Sequence, residues 1–437
     1  MAKSFRIITL GCKVNQYESA YLKESLIRSG CSQAGRDEKA DIAIINTCIV
    51  TERASTQSRQ AIRRAIRENP SGITAAVGCY AQVFPDELSR IEGVGFVAGN
   101  VSKGLLPEIL FEHIPADGPQ VLLESFSKGG HFDFLPVKGY QDRTRAFLKI
   151  QDGCEAFCSY CIVPFARGPS RSLDPPRVTS MLRSLSTEGF KEVVLTGINL
   201  GQYGADLGDR LDLKGLLNLI KKERLSLRIR LSSIEPNEVD RELVEMIGSE
   251  KWLCRHFHIP LQSGDDRLLR RMNRTYTATE FAALIEYIHV RIPDAAIGVD
   301  AMAGFPGEDE NAFQNTYSLI RKLPVSYLHV FPFSPRKRTA AAGFPDRVDQ
   351  KVIKERAAQL RALGQQKRRA FYESCLGKEF QVLTEGWHSE KGNMVKGLSD
   401  NYLPVAFPSS EPMENRLVRI LMEKVGSGVV IGTLTEI

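Results

Sequence analysis

The sequence predicts an α/β protein in three parts: an N-terminal parallel α/β domain, a partial barrel of six strand–helix units, and a small C-terminal all-β barrel. Short apolar runs alternate with amphipathic stretches up to about residue 113, and again from residue 147 to residue 333. This alternation is typical of parallel strands joined by helices. From Gly377 onward the helical pattern stops, and short apolar pieces separated by Gly, Ser and Pro indicate a small barrel.

The composition is that of a globular protein with several domains. The 437 residues carry a formal net charge of +6, and 43% of them are hydrophobic. No stretch reaches the ~18 apolar residues that a membrane span requires, and no apolar signal segment opens the sequence. We therefore predict a cytoplasmic protein with no membrane partner. Nine cysteines in such a protein indicate metal or redox ligands more readily than disulfides.

Three strand-like runs in the predicted N-terminal domain, residues 1–118, each end in a cysteine. The runs RIITLGC, IAIINTC and ITAAVGC close on Cys12, Cys48 and Cys79, which we call the N-terminal triad. The carboxyl ends of parallel strands lie along one edge of a sheet, where ligands bind. We therefore predict that the three thiols converge there as a candidate iron–sulfur site with an open iron. The alternative is that each cysteine is merely a small residue in a tight turn.

Residues 119–145 show no clear periodicity and contain several Gly and Pro residues, so we predict a linker. The barrel core, residues 146–372, follows it. Its predicted strands are FLKI (147–150), EVVLTG (192–197), RIRLSSI (228–234), HFHIPL (256–261), AIGVDAMAGF (296–305) and YLHVFPF (327–333). Six such units are too few for a full eight-stranded barrel, so we predict one that is open on one side.

The loop after the first barrel strand carries three thiols with the spacing C-x3-C-x2-C. These are Cys154, Cys158 and Cys161, which we call the loop triad. A structural zinc site normally has four protein ligands, and no second cysteine pair follows at a suitable distance. Three close thiolates fit an iron–sulfur cluster that keeps one iron open to a substrate. Zinc binding or simple packing remains the alternative.

The loop triad, with Tyr160 just before its third cysteine, resembles the signature of radical S-adenosylmethionine (SAM) enzymes. The resemblance implies a [4Fe-4S] cluster whose free iron binds SAM. Because the site of a parallel barrel faces its C-terminal strand ends, polar residues there are candidates for holding SAM. Each is also a common turn residue, which is the alternative reading. The candidates are Tyr160, Thr196, Asn199, Ser232, Ser233, Gln262 and Asp300. We interpret His256 and His258, which alternate on the fourth strand, as hydrogen-bonded core histidines.

Two basic segments are candidate surfaces for a phosphate backbone. The helix predicted after Cys48 carries arginines at four-residue spacing, which places them on one face. Residues 336–369 include eleven basic side chains against three acidic ones. This one-signed charge favours an anionic polymer as partner, although a solvated surface is the alternative. The predicted RNA contacts are Arg59, Arg63, Arg67, Lys367, Arg368 and Arg369.

Taken together, the two triads resemble those of the radical SAM methylthiotransferases, in which a domain with three separated cysteines precedes a radical SAM core and a C-terminal TRAM barrel. The motifs TLGCKVNQYES (9–19), NTC (46–48), GCYAQ (78–82) and CSYCIVPFARGPSRS (158–172) are most similar to the branch that acts on tRNA. More narrowly, they resemble the enzyme that modifies N6-threonylcarbamoyladenosine at position 37. The branch that modifies N6-isopentenyladenosine usually has Gln-Met at positions 13–14, and the branch that modifies a ribosomal protein carries Pro at position 13.

The resemblance implies two [4Fe-4S] clusters and SAM as cofactors. By it, the N-terminal triad holds an auxiliary cluster that carries the sulfur, and the loop triad holds the cluster that cleaves SAM. SAM would serve both as methyl donor and as the source of a 5′-deoxyadenosyl radical that attacks C2 of the adenine. The implied partners are the anticodon loop of tRNA, bound in part by the TRAM domain at residues 373–437, and a small reduced electron donor such as flavodoxin. The sulfur donor is left unknown.

Two functions of other classes compete with a methylthiotransferase. One is an iron–sulfur electron-transfer or carrier protein, which would need no SAM-sized cavity. The other is an RNA-binding module that carries zinc in place of the clusters. Failure to form 5′-deoxyadenosine from SAM would favour the carrier, and zinc without labile sulfide would favour the RNA-binding module.

Overall fold

A computed structural model of the chain gives the conformation of most of the sequence. Within the part that it describes, no helix combines the length and the apolar character needed to cross a bilayer. The described residues are 3–35, 37–112, 118–126, 132–137, 144–208, 211–388 and 393–436.

A six-stranded parallel sheet with helices on both faces forms the N-terminal part. Its strands are β1 (Ser4–Thr9), β2 (Ser32–Gln33), β3 (Ile42–Thr47), β4 (Ile73–Gly78), β5 (Phe96–Ala98) and β6 (Gln120–Leu122). Its helices are α1 (Lys13–Arg28), α2 (Glu52–Glu68), α3 (Cys79–Val83), α4 (Pro85–Ser89) and α5 (Leu106–Glu112). Successive strand residues point to opposite faces, so Ile44 packs with α1 and α5 while Ile45 packs with α2.

The strand order is β2-β1-β3-β4-β5-β6. The three strands that precede the cysteines of the N-terminal triad are therefore neighbours. The sixth strand, β6, lies inside the segment 119–145 that we predicted to be a linker, and that interpretation is wrong for its first residues. Three residues are too few to show a two-residue period, so pairing with β5 and not local pattern defines this strand.

Six parallel strands form the partial barrel, which confirms the number and positions predicted from sequence. They are β7 (Arg145–Lys149), β10 (Glu192–Thr196), β11 (Arg228–Leu231), β12 (His256–His258), β13 (Ala296–Ala303) and β14 (Tyr327–Pro332); the short pair β8 (Gln151–Asp152) and β9 (Arg171–Ser172) follows β7. Two three-stranded sheets, β7-β10-β11 and β12-β13-β14, continue into one another through a parallel bridge between Ile229 and Leu253.

Helices connect and cover the barrel strands. Polar N-caps fix the starts of several helices; Asp212, Asp240 and Asp309, for example, each accept a backbone hydrogen bond from the first turn. The helices are α6 (Val163–Arg167), α7 (Pro175–Thr187), α8 (Leu213–Lys222), α9 (Arg241–Ser249), α10 (Asp266–Arg271), α11 (Ala278–Arg291), α12 (Glu310–Lys322) and α13 (Gln350–Ser374).

Helix α1 joins the N-terminal sheet to the partial barrel. Tyr17 lies in the barrel's hydrophobic core and donates a hydrogen bond to the Leu135 carbonyl at 2.5 Å. The next residue, Glu18, is ion-paired with Lys149 at the end of β7. A large apolar core and buried charges therefore fix the two parts against each other.

The C-terminal part is a closed five-stranded barrel, as predicted. Its strands are β15 (Glu379–His388), β16 (Met394–Ser399), β17 (Pro404–Pro408), β18 (Leu417–Val425) and β19 (Val430–Glu436), in the order β15-β16-β17-β19-β18. Arg228 and Arg230 on β11 attach it to the partial barrel by donating to the carbonyls of Leu398 and Ser399 at 2.8 and 2.9 Å. Glu192 on β10 pairs with both guanidinium groups, with each Nε 2.7 Å from a carboxylate oxygen.

Candidate metal and cofactor site

The N-terminal triad lies along one edge of the parallel sheet. Thr9 is paired with Asn46 on the neighbouring strand, and Thr47 is paired with Gly78 on the next, so the three strands end side by side. Adjacent strands are about 4.8 Å apart. Cys12, Cys48 and Cys79 follow these ends within three residues, as the sequence predicted.

A glycine makes this close approach possible. Gly11 adopts φ +97°, and a Cβ atom there would lie 3.0 Å from the Sγ of Cys48. Any other residue would be strained by its backbone conformation and would crowd the thiol. The turn before Cys12 is therefore shaped around Cys48.

The loop triad is held by a tight loop between β8 and α6. The backbone N–H of Cys154 donates to the Gly168 carbonyl at 3.0 Å, which closes the loop at its base. A Cβ at Gly153, where φ is +80°, would lie 1.8 Å from the carbonyl oxygen of Pro169. On the other side, Asn273 donates to the carbonyls of Ala156 and Phe157. The loop therefore has a fixed shape that presents its three thiols together.

Each triad supplies three sulfur donors, which suits an iron–sulfur cluster. Within the described residues, only His258, Asp300 and His329 bring three ligand atoms within 4.8 Å of one another; neither cysteine triad does. Thiolates around one tetrahedral zinc ion would be about 3.8 Å apart, given a Zn–S bond of ~2.3 Å. Each thiolate of an iron–sulfur cluster binds a different iron, so wider spacing and soft sulfur donors fit a cluster.

Burial favours the protonated form of several of these thiols. Together with the neighbouring cysteines of the same triad, it raises the pKa of Cys48 and of Cys161 to about 12 in each case. Burial also raises the pKa of Cys12, Cys154 and Cys158. Iron binding must displace these protons, because the thiolate is the ligand.

A cavity of about 200 Å³ lies between the two triads, and we call it the central cavity. Cys161 contributes to its wall from the loop triad, and Val50 and Thr51, which follow Cys48, contribute from the N-terminal part. Apolar side chains cover much of the remaining wall, including Phe331, which is 41% exposed. The cavity therefore joins the loop triad to the segment that follows Cys48; among the described residues that line it, none is a cysteine of the N-terminal triad.

A second, more polar cavity of about 260 Å³ lies on the other side of the loop triad, and we call it the polar cavity. Cys158 and Asn199 line it together with two carboxylates, Glu235 and Glu238. Asn199 donates to Glu238 at 3.1 Å, and burial raises the pKa of that carboxyl. A half-buried carboxylate pair suits a ligand that carries positive charge, as SAM does on its amino and sulfonium groups.

The predicted SAM residues divide between the two cavities. Tyr160, Gln262 and Asp300 line the central cavity, whereas Asn199 lines the polar one. The remaining candidates line neither. Of these, Thr196 and Ser232 are buried. Ser233 Oγ lies 2.6 Å from His258 Nδ1.

Sequence reasoning missed Glu235, Glu238 and Arg274. Glu235 directly follows the predicted strand at residues 228–234, so its place after a strand end would have indicated it. Arg274 lies in a loop without such a pattern, yet its Nη2 donates to the Tyr160 hydroxyl at 2.7 Å and its Nη1 contacts Glu235. Arg274 thereby ties the loop triad to the polar cavity.

His258, Asp300 and His329 form a hydrogen-bonded group beside the central cavity. His258 Nε2 and His329 Nδ1 lie 2.9 and 3.3 Å from Asp300 Oδ1. Burial opposes ionisation of Asp300, but the hydrogen bonds from both rings outweigh it and hold the pKa below its usual range. Since a carboxylate only accepts, His258 donates through Nε2 and accepts from Ser233 at Nδ1. This agrees with our interpretation of His258 as a hydrogen-bonded core histidine.

The predicted RNA contacts lie in different environments on α2 and α13. On α2, Arg59 donates to the Tyr80 hydroxyl at 2.7 Å, whereas Arg63 and Arg67 are exposed. On α13, Lys367 donates to the carbonyls of Arg321 and Leu323 at the end of α12, which is a structural role that the sequence did not indicate. Of its two neighbours, Arg369 is paired with Glu373 at 2.8 Å and Arg368 is exposed.

Comparison with known protein families places the two cysteine triads in two different family domains. Residues 4–99 match the model of uncharacterized protein family UPF0004, and residues 148–320 match that of the radical SAM superfamily. In fold, the chain is similar to the radical SAM methyltransferase TsrM of Kitasatospora setae, with a TM-score of 0.55, 14% identity, and coverage of 76% of this chain and 73% of TsrM.

Near-full-length relatives identify the family. A threonylcarbamoyladenosine tRNA methylthiotransferase, MtaB, of Aquifex aeolicus is 39% identical over 95% of this chain and 98% of its own length. A tRNA-2-methylthio-N(6)-dimethylallyladenosine synthase of Pelotomaculum thermopropionicum is 34% identical over 96% of this chain and 94% of its own. The resemblance drawn from the cysteine motifs is thus confirmed, and the chain belongs to the radical SAM methylthiotransferase family.

Proposed function

We propose that this chain methylthiolates C2 of N6-threonylcarbamoyladenosine at position 37 of tRNA. The single observation that carries the proposal is the central cavity, which has a residue of the loop triad and residues next to Cys48 in its wall. A reaction that joins a sulfur source to a radical source needs both at one substrate atom. The higher identity to the Aquifex enzyme named for this nucleoside supports the choice of substrate over the dimethylallyl form.

The cofactors are SAM and two [4Fe-4S] clusters, and the two cysteine triads provide the thiolate ligands of the clusters. The loop triad would hold the cluster at which SAM is cleaved to a 5′-deoxyadenosyl radical, and the N-terminal triad the cluster that supplies sulfur. In the polar cavity, Glu235 and Glu238 offer carboxylates to the cationic groups of SAM. In the central cavity, the exposed ring of Phe331 offers a stacking surface for an unstacked base.

The remaining residues orient the substrate and limit water. Gln262 presents an amide to the central cavity, and the apolar side chains of Met302 and Phe333 cover the wall around it. We propose that the exposed arginines Arg63, Arg67 and Arg368 contact tRNA phosphates, together with the C-terminal barrel. The enzyme would act in the cytoplasm, where tRNA is found, and would receive electrons from a small reduced donor such as flavodoxin.

Mass spectrometry of tRNA nucleosides from cells that lack this gene tests the proposal. The expected result is loss of the 2-methylthio form of N6-threonylcarbamoyladenosine, with accumulation of the unmodified nucleoside. Loss of the methylthio form of N6-isopentenyladenosine, or of a modified ribosomal protein, would assign the chain to another branch. Purified protein that forms no 5′-deoxyadenosine from SAM and dithionite would instead favour an electron carrier.

A further inference from the structure

Five charged side chains are buried together between the N-terminal sheet and the partial barrel. Three are cations and two are carboxylates, so the group, which we call the buried charge cluster, has one positive charge in excess. None of the five is more than 5% exposed. Its members are Glu18, Lys103, Lys149, Asp152 and Arg167.

Arg167 lies at the centre of this cluster. Its Nη1 is 2.5 Å from Glu18 Oε1 and 3.2 Å from Asp152 Oδ2. Burial would raise the pKa of the Glu18 carboxyl, but the surrounding cations outweigh burial and hold that pKa below its usual range. A guanidinium stays protonated in proteins, so Arg167 keeps its charge. An excess charge inside a protein is costly unless an opposite charge lies nearby.

Hydrogen bonds through Asn15 connect Arg167 to the segments that carry Cys12 and Cys48. Arg167 Nη2 donates to Asn15 Oδ1 at 2.6 Å, and Asn15 in turn donates to the carbonyls of Leu10 and Thr47, close to Cys12 and Cys48. Burial opposes the charge on Arg167, but the thiolate form of Cys79 and the two carboxylates outweigh it and raise the pKa of Arg167.

Two buried polar atoms at this place have no hydrogen-bond partner among the described residues. They are Arg167 Nε and Asn100 Oδ1. Asn100 also touches the triad, since its Nδ2 lies 3.5 Å from Cys79 Sγ, and it donates to the carbonyl of Ala166, next to Arg167. Asn100 therefore links the peptide next to Arg167 to the thiol of Cys79.

We propose that Arg167 is a positioning residue for the auxiliary cluster. Its guanidinium, contributed by the helix that follows the loop triad, balances the negative charge of the three thiolates and raises the reduction potential of the cluster they hold. The inference rests on the proposed function. Three thiolates around a doubly positive [4Fe-4S] core leave one negative charge in excess, which matches the buried charge cluster. Reduction adds a further negative charge, so a fixed cation stabilises the reduced form more than the oxidised form.

A redox titration of the auxiliary cluster alone tests this inference. The full chain carrying Cys154→Ala, Cys158→Ala and Cys161→Ala serves as parent, because its electron paramagnetic resonance signal then comes only from the N-terminal triad. At the parent's midpoint potential, adding Arg167→Gln should lower the ratio of reduced to oxidised cluster at least tenfold, which is 59 mV for one electron. Arg167→Lys keeps the charge and should stay near the parent.

Arg356→Gln is the matched control. Arg356 is also a buried arginine, 6% exposed, and it is paired with Glu308 at 3.0 Å, but it contacts neither triad. An unchanged potential in Arg167→Gln, or an equal shift in Arg356→Gln, would overturn the inference while leaving the proposed function intact. A parent that binds no cluster would remove the proposed function and this inference with it.

Loss of the cluster in a folded variant is also decisive. If Arg167→Gln keeps its circular dichroism but holds no labile sulfide, while Arg167→Lys holds it, charge is what the cluster needs and the inference stands. If both variants lose the cluster, the shape of arginine and not its charge is required, and the inference fails.

Discussion

Cys161 and Thr51 line the same cavity, although Thr51 caps α2 three residues after Cys48 and Cys161 belongs to a loop more than a hundred residues later. The loop triad and the segment after Cys48 therefore face one cavity. Cys48→Ala should halve the iron content while leaving SAM cleavage to 5′-deoxyadenosine in place, because the loop triad is intact. Methylthio transfer should be lost.

Iron and sulfide analysis of purified, reconstituted protein checks this outcome. Cys31→Ala is the control, since Cys31 is a buried cysteine of the same sheet that packs in its hydrophobic core. Full iron content in Cys48→Ala would contradict the assignment of the N-terminal triad.

Substitution of residues that line the polar cavity should weaken the binding of SAM. Glu238→Gln and Asn199→Ala should each raise the KM for SAM in 5′-deoxyadenosine formation about tenfold, the effect of losing roughly 1.4 kcal/mol from a hydrogen bond to a charged group. Both residues line the cavity beside Cys158. Glu242→Gln, which changes an exposed carboxylate on α9 that pairs with Lys214 on α8, is the control. Equal KM values in all variants would exclude this cavity as the SAM site.

Cluster loading should depend on pH. Burial raises the pKa of Cys48 and of Cys161 to about 12, so both thiols hold their protons throughout the neutral range. Since iron binds the thiolate, protons compete with iron, and loading weakens as pH falls. Anaerobic reconstitution at limiting iron should therefore be more complete at pH 9 than at pH 7, with protons released to an indicator dye. Loading that is independent of pH would show that the thiols are already deprotonated.

Two neighbouring basic residues near the end of α13 should have different roles, Lys367 a structural one and Arg368 an RNA-binding one. Lys367→Met removes a cation from the carbonyls that end α12 and should cost about 1 kcal/mol of stability without changing tRNA affinity. Arg368→Gln should do the opposite, weakening tRNA binding and lowering the slope of log affinity against log salt by about 0.7–0.9. Filter binding at several salt concentrations, with thermal unfolding in parallel, measures both. Unchanged salt dependence in Arg368→Gln would leave α13 outside the RNA interface.

Docking of the C-terminal barrel should depend on Glu192. Because this carboxylate is fully buried and pairs with Arg228 and Arg230, Glu192→Gln would leave their charges uncompensated and should cost about 3–5 kcal/mol. Chemical denaturation followed by circular dichroism measures the loss. Glu223→Gln, which breaks a more exposed pair with Arg183, is the control and should leave the midpoint unchanged. Equal midpoints for both variants would mean that the apolar contacts alone hold the barrel.

Much of the candidate site could be predicted from local sequence. The spacing of Cys154, Cys158 and Cys161 lies within one loop, and the apolar runs that end at Cys12, Cys48 and Cys79 each define a strand without reference to the others. Six barrel strands were recognised for the same reason, since side-chain periodicity is a property of neighbouring residues. The three-residue strand β6 was missed because it is defined by pairing alone.

The sequence by itself determined which side chains could bind metal and which segments form strands, because residue chemistry and periodicity are local. Only the tertiary structure decided that β1, β3 and β4 are adjacent, that Lys367 caps α12, and that Arg167 pairs with Glu18 across 149 positions of the chain. Such contacts arise when distant segments are packed together and buried charges must find partners of opposite sign. That requirement acts on the folded chain as a whole, so no stretch of sequence carries it alone.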